Sequence, residues 1–182
     1  HVSQSYKCDH FTHGFVEVLA AEQTLSDSSW YQGTADAVRQ HLGHFLDHRF
    51  DYFLILSGDQ LYNMDFRRVL DQHIKNKAEL TVATIPVSRS AASGFGVMQI
   101  DETRQIREFV EKPKDDHVID SLRIPSQTRS DLGLGNDGDQ YLASMGIYVF
   151  NRSVMLDFLD SEHIDFGKDI IPEAIKKCRA FS

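Results

Sequence analysis

The chain has 182 residues, 41% hydrophobic and 25% charged, an ordinary balance for one globular domain long enough to bury a real core. Its formal net charge of −8 argues against a nucleic-acid surface, which is met by Lys and Arg in excess, but leaves room for a few placed cations to hold a small phosphate ligand. No apolar run reaches membrane length, no signal peptide is visible, and the two cysteines, Cys8 and Cys178, have neither the count nor the spacing of a disulfide framework or a zinc site, so a reducing, cytoplasmic setting is expected.

Strand and helix patterns alternate along the chain. Phe15 to Ala20 reads as a short strand. Thr34 to about His48 reads as a helix with Thr34 as its N-cap and Ala35, Val38, Leu42, Phe45 and Leu46 on one face. Tyr52 to Leu56, YFLIL, is a continuous apolar run, as in a strand buried on both faces of a parallel sheet. Asp65 caps a second helix that points Phe66, Val69, Leu70 and Ile74 inward, and Leu80 to Val87 is a β-branched strand. Phe95 to Ile100 and Ile106 to Val110, around a turn at Asp101-Glu102-Thr103, read as a hairpin, a departure from simple βα alternation. Residues 113 to 140 form a long, charged surface excursion with two prolines, of the kind that is often functional. Tyr141 to Phe150 returns as a strand, and Asp165-Phe166-Gly167 opens a last helix with Pro172 in its first turns. The expected architecture is α/β, a mostly parallel sheet covered by helices on both faces.

Several residues stand out chemically. WYQGTADAV at 30 to 38 joins a small-residue turn to a helix, and LILSGDQLYNMD at 54 to 65 ends a buried strand on Ser57-Gly58-Asp59. Together they set backbone N–H groups and a carboxylate at one sheet edge, where a nucleotide and its metal can sit. Asp59 is placed to hold Mg²⁺ on a triphosphate, and Gly58 lets the backbone approach a ligand closely; an ordinary turn Asp is the alternative. Tyr31, Gly33 and Thr34 suit base or sugar-phosphate contact, or a plain N-cap beside a packed aromatic. Glu111-Lys112-Pro113 ends a strand: Lys112 can reach a phosphate from a backbone held extended by the proline, and Glu111 can accept sugar hydroxyls, unless the two are an exposed ion pair worth roughly 0 to 1 kcal/mol. Ser144 interrupts an apolar strand, and Gly96 within a strand marks a bulge or a close approach. His41, His44 and His48 share a helical face opposite the apolar one, which reads as solvated rather than as a zinc site, and Asp9, His10 and His13 give no ligand pattern.

These segments, with GFVEVLAAEQT at 14 to 24, TVATIPV at 81 to 87, ASGFGVMQID at 92 to 101, FVEKP at 109 to 113, LASMGIYVF at 142 to 150 and DFGKDIIP at 165 to 172, resemble the ADP-glucose pyrophosphorylases, the bacterial glucose-1-phosphate adenylyltransferases. WYQGTADAV, FVEKP and SMGIYVF in this order are specific to the likeness. The resemblance implies a Rossmann-like nucleotide-diphosphosugar transferase fold, ATP and glucose 1-phosphate as substrates, Mg²⁺ as cofactor and a tetrameric homo-oligomer. It implies Asp59 as the metal-holding catalytic aspartate and Lys112 as the catalytic cation on the sugar phosphate. Tyr31, Gly96, Glu111, Lys112, Ser144 and Asp165 would then contact glucose 1-phosphate or the glucosyl group, with Gly33, Thr34 and Gly58 on the nucleotide side.

Gln60 stands where the family commonly has His. The glycine-rich loop that opens the family's domain, its second metal aspartate and its β-helix domain have no counterpart among residues 1 to 182, so the chain is expected to be a partial catalytic domain, inactive by itself. Two alternatives remain: another sugar-1-phosphate nucleotidyltransferase, or a non-catalytic regulatory subunit of the same fold.

Overall fold

The computed structural model describes residues 14–19, 30–134 and 138–182. In chain order the elements are α1 (Thr34–Gln40), α2 (Leu42–Leu46), β1 (Tyr52–Leu56), α3 (Phe66–Lys75), β2 (Leu80–Ser88), α4 (Arg89–Ala92), β3 (Gly96–Ile100) and β4 (Ile106–Glu111). Next come α5 (Asp116–Ser121), α6 (Ser126–Asp131), β5 (Gln140–Asn151), α7 (Arg152–Leu159), a π-helical turn (Phe166–Ile170), α8 (Ile171–Lys177) and β6 (Ala180–Phe181).

The sheet is organised around β5, twelve residues long and buried along most of its length. One edge of β5 is lined by β2, from Leu80 opposite Phe150 to Ser88 opposite Gln140. The other edge is shared end to end by two strands: β3 pairs with Leu142 and Ala143, and β1 pairs with Ile147 to Asn151. β4 extends the sheet beyond β3, and β6 extends it beyond β2. The expected α/β architecture holds, but the expectation of a mostly parallel sheet does not. Among the described residues only β2 and β6 pair in parallel; β5 runs against β1, β2 and β3, and β3 against β4. The physical reason is β5 itself. β1, β2 and β6 do run one way, as crossover connections dictate, and β5 is inserted between β1 and β2 in the opposite sense.

Side-chain alternation puts helices on both faces. Leu80 and Val82 of β2 enter the main core with Ala35 of α1, Met155 and Phe158 of α7, and Phe166, Ile170 and Ile171. Thr81, between them, faces the other way and meets His73 of α3. Burial of such side chains, about 1.5 to 3 kcal/mol each, is what holds the layers together. A smaller core of Ala92, Val97, Ile119, Leu122 and Tyr141 fixes α4 and α5 over the hairpin end of the sheet. The excursion after Pro113 is therefore partly helical and anchored, rather than a plain surface loop.

Other expectations are refined. Gly14 to Leu19 forms no strand, because no partner strand pairs with it among the described residues; Ala20 lies outside them. The helix expected from Thr34 to His48 is two short helices broken at His41, with Gly33 rather than Thr34 in the N-cap position. Leu54 and Leu56 of β1 stay 43% and 39% exposed, so β1 is not buried on both faces. Asp65 does cap α3, accepting the Arg67 amide, but Ile74 points outward and His73 is the buried residue there. Helix α7 has no clear sequence signature, since RSVMLDFL comes directly after an apolar strand without a strong start signal. The hairpin and β2 are as expected, and the last helix opens at Asp165 as expected, first as a π-helical turn that Asp165 caps.

His73 is 1% exposed and sits between Thr81 Oγ1 at 2.7 Å and Asn151 Oδ1 at 3.0 Å. Asn151 Oδ1 can only accept, so Nε2 donates to it and Nδ1 accepts from the threonine. Burial lowers the histidine's pKa, the bond to Asn151 opposing only in part. The unfolded chain therefore binds the proton more readily, and the contribution of neutral His73 is present above the ordinary histidine pKa and lost as pH falls below it. We expect the melting temperature of the intact protein to drop on acidification below about pH 6.5. His73→Gln should flatten that dependence while lowering stability at neutral pH, and an unchanged pH slope in that variant would contradict the assignment.

Candidate active site

The site forms where β1 and β3 part. Between the pairs Val82–Tyr148 and Thr84–Ser144, one residue of β2, Ala83, faces three of β5, Met145 to Ile147, so β5 bulges at this point. A bulge adds unpaired residues to one strand and bends it. Gly146 supplies the bend with φ +67°, a left-handed conformation that a side chain disfavours, and a Cβ there would also lie 3.3 Å from Ser57 Cβ. The bulge residues Ser144, Met145 and Gly146 lie between the last pair with β3 and the first pair with β1, and a fork opens in the sheet. In α/β sheets such a fork, at the carboxyl ends of strands, is where ligands bind.

On one side of the fork β1 ends in Ser57-Gly58-Asp59. The Ser57 amide donates to Gly146 O at 3.2 Å, Gln60 Nε2 donates to Met145 O at 3.2 Å, and the Tyr62 hydroxyl donates to Ser57 O at 2.6 Å. The turn is thus tied to the bulge at two points and braced by Tyr62 at a third. The Ser57 hydroxyl donates to the Asp59 carboxylate, which is exposed and has no Lys or Arg partner among the described residues. Gly58 has open space where a Cβ would stand. Gln60 thus carries a structural bond to the bulge.

On the other side, β4 ends in Glu111, opposite Gly96, and Lys112 follows it. A Cβ on Gly96 would meet the Phe109 ring at 2.3 Å and Glu111 Oε2 at 2.7 Å, so this glycine makes room for the carboxylate. Burial raises the Glu111 pKa, and neighbouring Asp165 adds to the rise; Lys112 and Lys168 oppose it. Lys112 Nζ is 3.9 Å from Glu111 Oε1 and 58% exposed, a loose pair with the cation free for other work. Lys112 also has φ +48°, in contrast to the extended backbone expected before a proline; its amide donates to Phe95 O at 3.0 Å. A left-handed non-glycine residue costs of order 1 to 3 kcal/mol, strain that clusters at functional positions.

Asp165 comes to the same corner from the loop before α8. Gly167 would place a Cβ 3.1 Å from Glu111 Oε2. Tyr148 lies beneath, 8% exposed. Burial raises its phenol pKa; the Ser144 hydroxyl works against that, and Glu111, Asp165 and Tyr62 add to the rise. The ring of Tyr148 lies 5.9 Å from that of Phe166, the residue after Asp165. Ser144 Oγ also accepts the Gly146 amide at 3.2 Å. The structure brings together Gly96, Glu111, Lys112, Ser144 and Asp165, with Asp59 across the bulge.

The start of α1 is arranged differently from the sequence reading. Two of its first amides, those of Ala35 and Asp36, donate to Ile164 O at 2.9 and 3.2 Å, so these two are not turned toward a nucleotide. Gly33 is required because a Cβ there would lie 2.2 Å from that same carbonyl. The Thr34 hydroxyl bonds Asp165 and the Phe166 amide. The Tyr31 hydroxyl meets His41 Nε2 at the break between α1 and α2, and no hydrogen bond ties it to the corner around Glu111. His44 and His48 are exposed, and no group of three or more His, Cys, Asp or Glu side chains among the described residues is placed to hold a metal by itself. Asp9, His10 and His13 lie outside the described residues.

Sequence reasoning missed Tyr148, Tyr62 and Lys168. Tyr148 passes for one more apolar residue of SMGIYVF, although a tyrosine in a core strand needs a partner for its hydroxyl, and that was the available signal. Two clefts lie elsewhere, one of about 510 Å³ beside Phe50, Tyr52 and Arg152, the other of about 380 Å³ beside Asp101, Pro125 and Thr128. Neither gathers the chemistry of the fork. No helix among the described residues is long and apolar enough to cross a membrane. A family model described as nucleotidyl transferase matches residues 1–181, essentially the whole chain, so this protein belongs to the nucleotidyl transferase family.

Proposed function

We propose that the protein acts as a glucose-1-phosphate adenylyltransferase, converting ATP and α-D-glucose 1-phosphate to ADP-glucose and pyrophosphate for α-glucan synthesis. The observation that carries this reading is the meeting of two carboxylates and a free, strained lysine around one bulge, with a third carboxylate across it. Glu111 and Asp165 suit the hydroxyls of a sugar: Glu111 is half-buried and its charge is only loosely balanced, so donated hydroxyl hydrogens would stabilise it. Lys112 suits the phosphate on that sugar, as an exposed point charge.

In the reaction a phosphate oxygen of glucose 1-phosphate forms a bond to the α-phosphorus of ATP as the bond to the β-phosphate oxygen breaks, and pyrophosphate departs with that electron pair. The protein supplies no nucleophile. Its residues hold the attacking group in line and balance charge, and positioning of this kind accounts for much of the barrier reduction in such transfers. Lys112 holds the attacking phosphate, Glu111 and Asp165 orient the ring, and Tyr148 and Ser144 form the floor. Asp59 fits Mg²⁺: its carboxylate is exposed, free of a cationic partner among the described residues and bonded by a single hydroxyl, and this ion needs only one or two carboxylates besides phosphate oxygens. When bound, the ion would neutralise triphosphate charge.

The test is pyrophosphate release by the intact protein with ATP, GTP, UTP or dTTP, each paired with glucose, galactose or mannose 1-phosphate. The expected result is highest kcat/KM for ATP with glucose 1-phosphate. Preference for another pair would make it a different sugar nucleotidyltransferase; binding without release would support a regulatory subunit.

A further inference from the structure

The segment that opens α1 and the loop that carries Asp165 are 131 residues apart in sequence and joined as one piece. The Thr34 hydroxyl donates to Asp165 Oδ2 at 3.2 Å and accepts from the Phe166 amide at 3.1 Å. The other carboxylate oxygen of Asp165 accepts the Lys168 amide at 3.0 Å. Behind it, Asp169 Oδ2 accepts the amides of Ile164 and Asp165, each at 3.0 Å, and Ile164 O receives the first amides of α1. Every rotation that would turn the Asp165 carboxylate away from its present direction breaks one of these bonds.

A hydroxyl has one hydrogen and two lone pairs. In Thr34 the hydrogen goes to Asp165 and one lone pair to Phe166, which leaves no donor for a phosphate oxygen or a ring nitrogen of a base. We propose that Thr34 is a positioning residue for Asp165, so that its hydroxyl serves the sugar side of the site. The inference rests on the proposed function, in which Asp165 faces the sugar. It makes the Thr34 hydroxyl part of the mount that holds the Asp165 carboxylate, while the Ala35 and Asp36 amides hold the Ile164 carbonyl just before it.

The experiment compares Thr34→Val, Thr34→Ala and Thr34→Ser with the parent in the intact protein, after checking folding by thermal melting. It measures KM for glucose 1-phosphate and for ATP, and amide hydrogen exchange at Phe166. Loss of a hydrogen bond to a charged group should raise KM for glucose 1-phosphate roughly tenfold in the Val and Ala variants. KM for ATP should stay within about twofold. Phe166 should exchange faster, and Ser should restore both readouts. A rise in KM for ATP with the sugar-phosphate KM unmoved would overturn the proposal, as would unchanged Phe166 exchange. If the parent transferred no nucleotide to any sugar phosphate, the functional reading would fail, and the exchange measurement would still decide whether Thr34 holds the Asp165 loop.

Discussion

Asp59→Asn in the intact protein is expected to leave the fold in place and to cut kcat by about two to three orders of magnitude. The fold should survive because Asp59 is exposed, and because an amide oxygen can still accept the Ser57 hydroxyl. Turnover should not survive, because the carboxylate is the one acidic group in the turn that ends β1 at the fork. Neutralising a metal-holding oxygen removes several kcal/mol of transition-state stabilisation, and each 1.36 kcal/mol is tenfold in rate. The measurement is kcat at saturating substrates and Mg²⁺, with circular dichroism and melting to verify folding. A folded variant with near-parental kcat would remove Asp59 from the mechanism.

Lys112→Ala should act on binding. The side chain is exposed, so its removal leaves no cavity, and alanine bears the left-handed backbone no worse than lysine does. One charge-assisted contact to phosphate is worth roughly 1.5 to 3 kcal/mol, so KM for glucose 1-phosphate should rise about ten- to a hundredfold. KM for ATP should change far less. Equal changes in both would make Lys112 structural or place it on the nucleotide. Without ligand, its only close charged partner among the described residues is Glu111, 3.9 Å away, and that contact gives it little reason to stay in a strained conformation.

Much of the fold is readable from the sequence because it depends on local patterns. LTVATIPV is β-branched, the Phe95 to Val110 segment turns on an aspartate whose carboxylate accepts the Thr103 and Gln105 amides, and Asp65 and Asp165 each cap the helical segment after them. Strand direction is not readable in this way. YLASMGIYVF has the continuous apolar character of a strand covered on both faces, and that character is the same whether its neighbours run with it or against it. The break at His41 is hidden because the apolar spacing of Val38, Leu42 and Phe45 continues across it.

The site is legible in the sequence as a set of residues but not as a shape. Gly96 and Ser144 are marked by being a glycine and a polar residue within strands, and the structure gives each a cause: room for Glu111, and a bond to the bulge amide. The bulge itself depends on the pairing of β5 with β2, a long-range register that no local motif displays. The start of α1 is open to two readings for a related reason. Small residues before a helix suit an anion at its N-terminus, and they suit equally the close approach of a backbone carbonyl, which is what Ile164 supplies.

Whether the fork at the β5 bulge receives the sugar phosphate is decided by amide hydrogen exchange of the intact protein with and without saturating glucose 1-phosphate. Bound sugar phosphate should slow exchange at Gly96, at Glu111 and Lys112, from Ser144 to Gly146, and from Phe166 to Lys168. Slowing confined to Phe50–Tyr52 and Asn151–Ser153, beside the 510 Å³ cleft, or slowing at none of these positions, would contradict it.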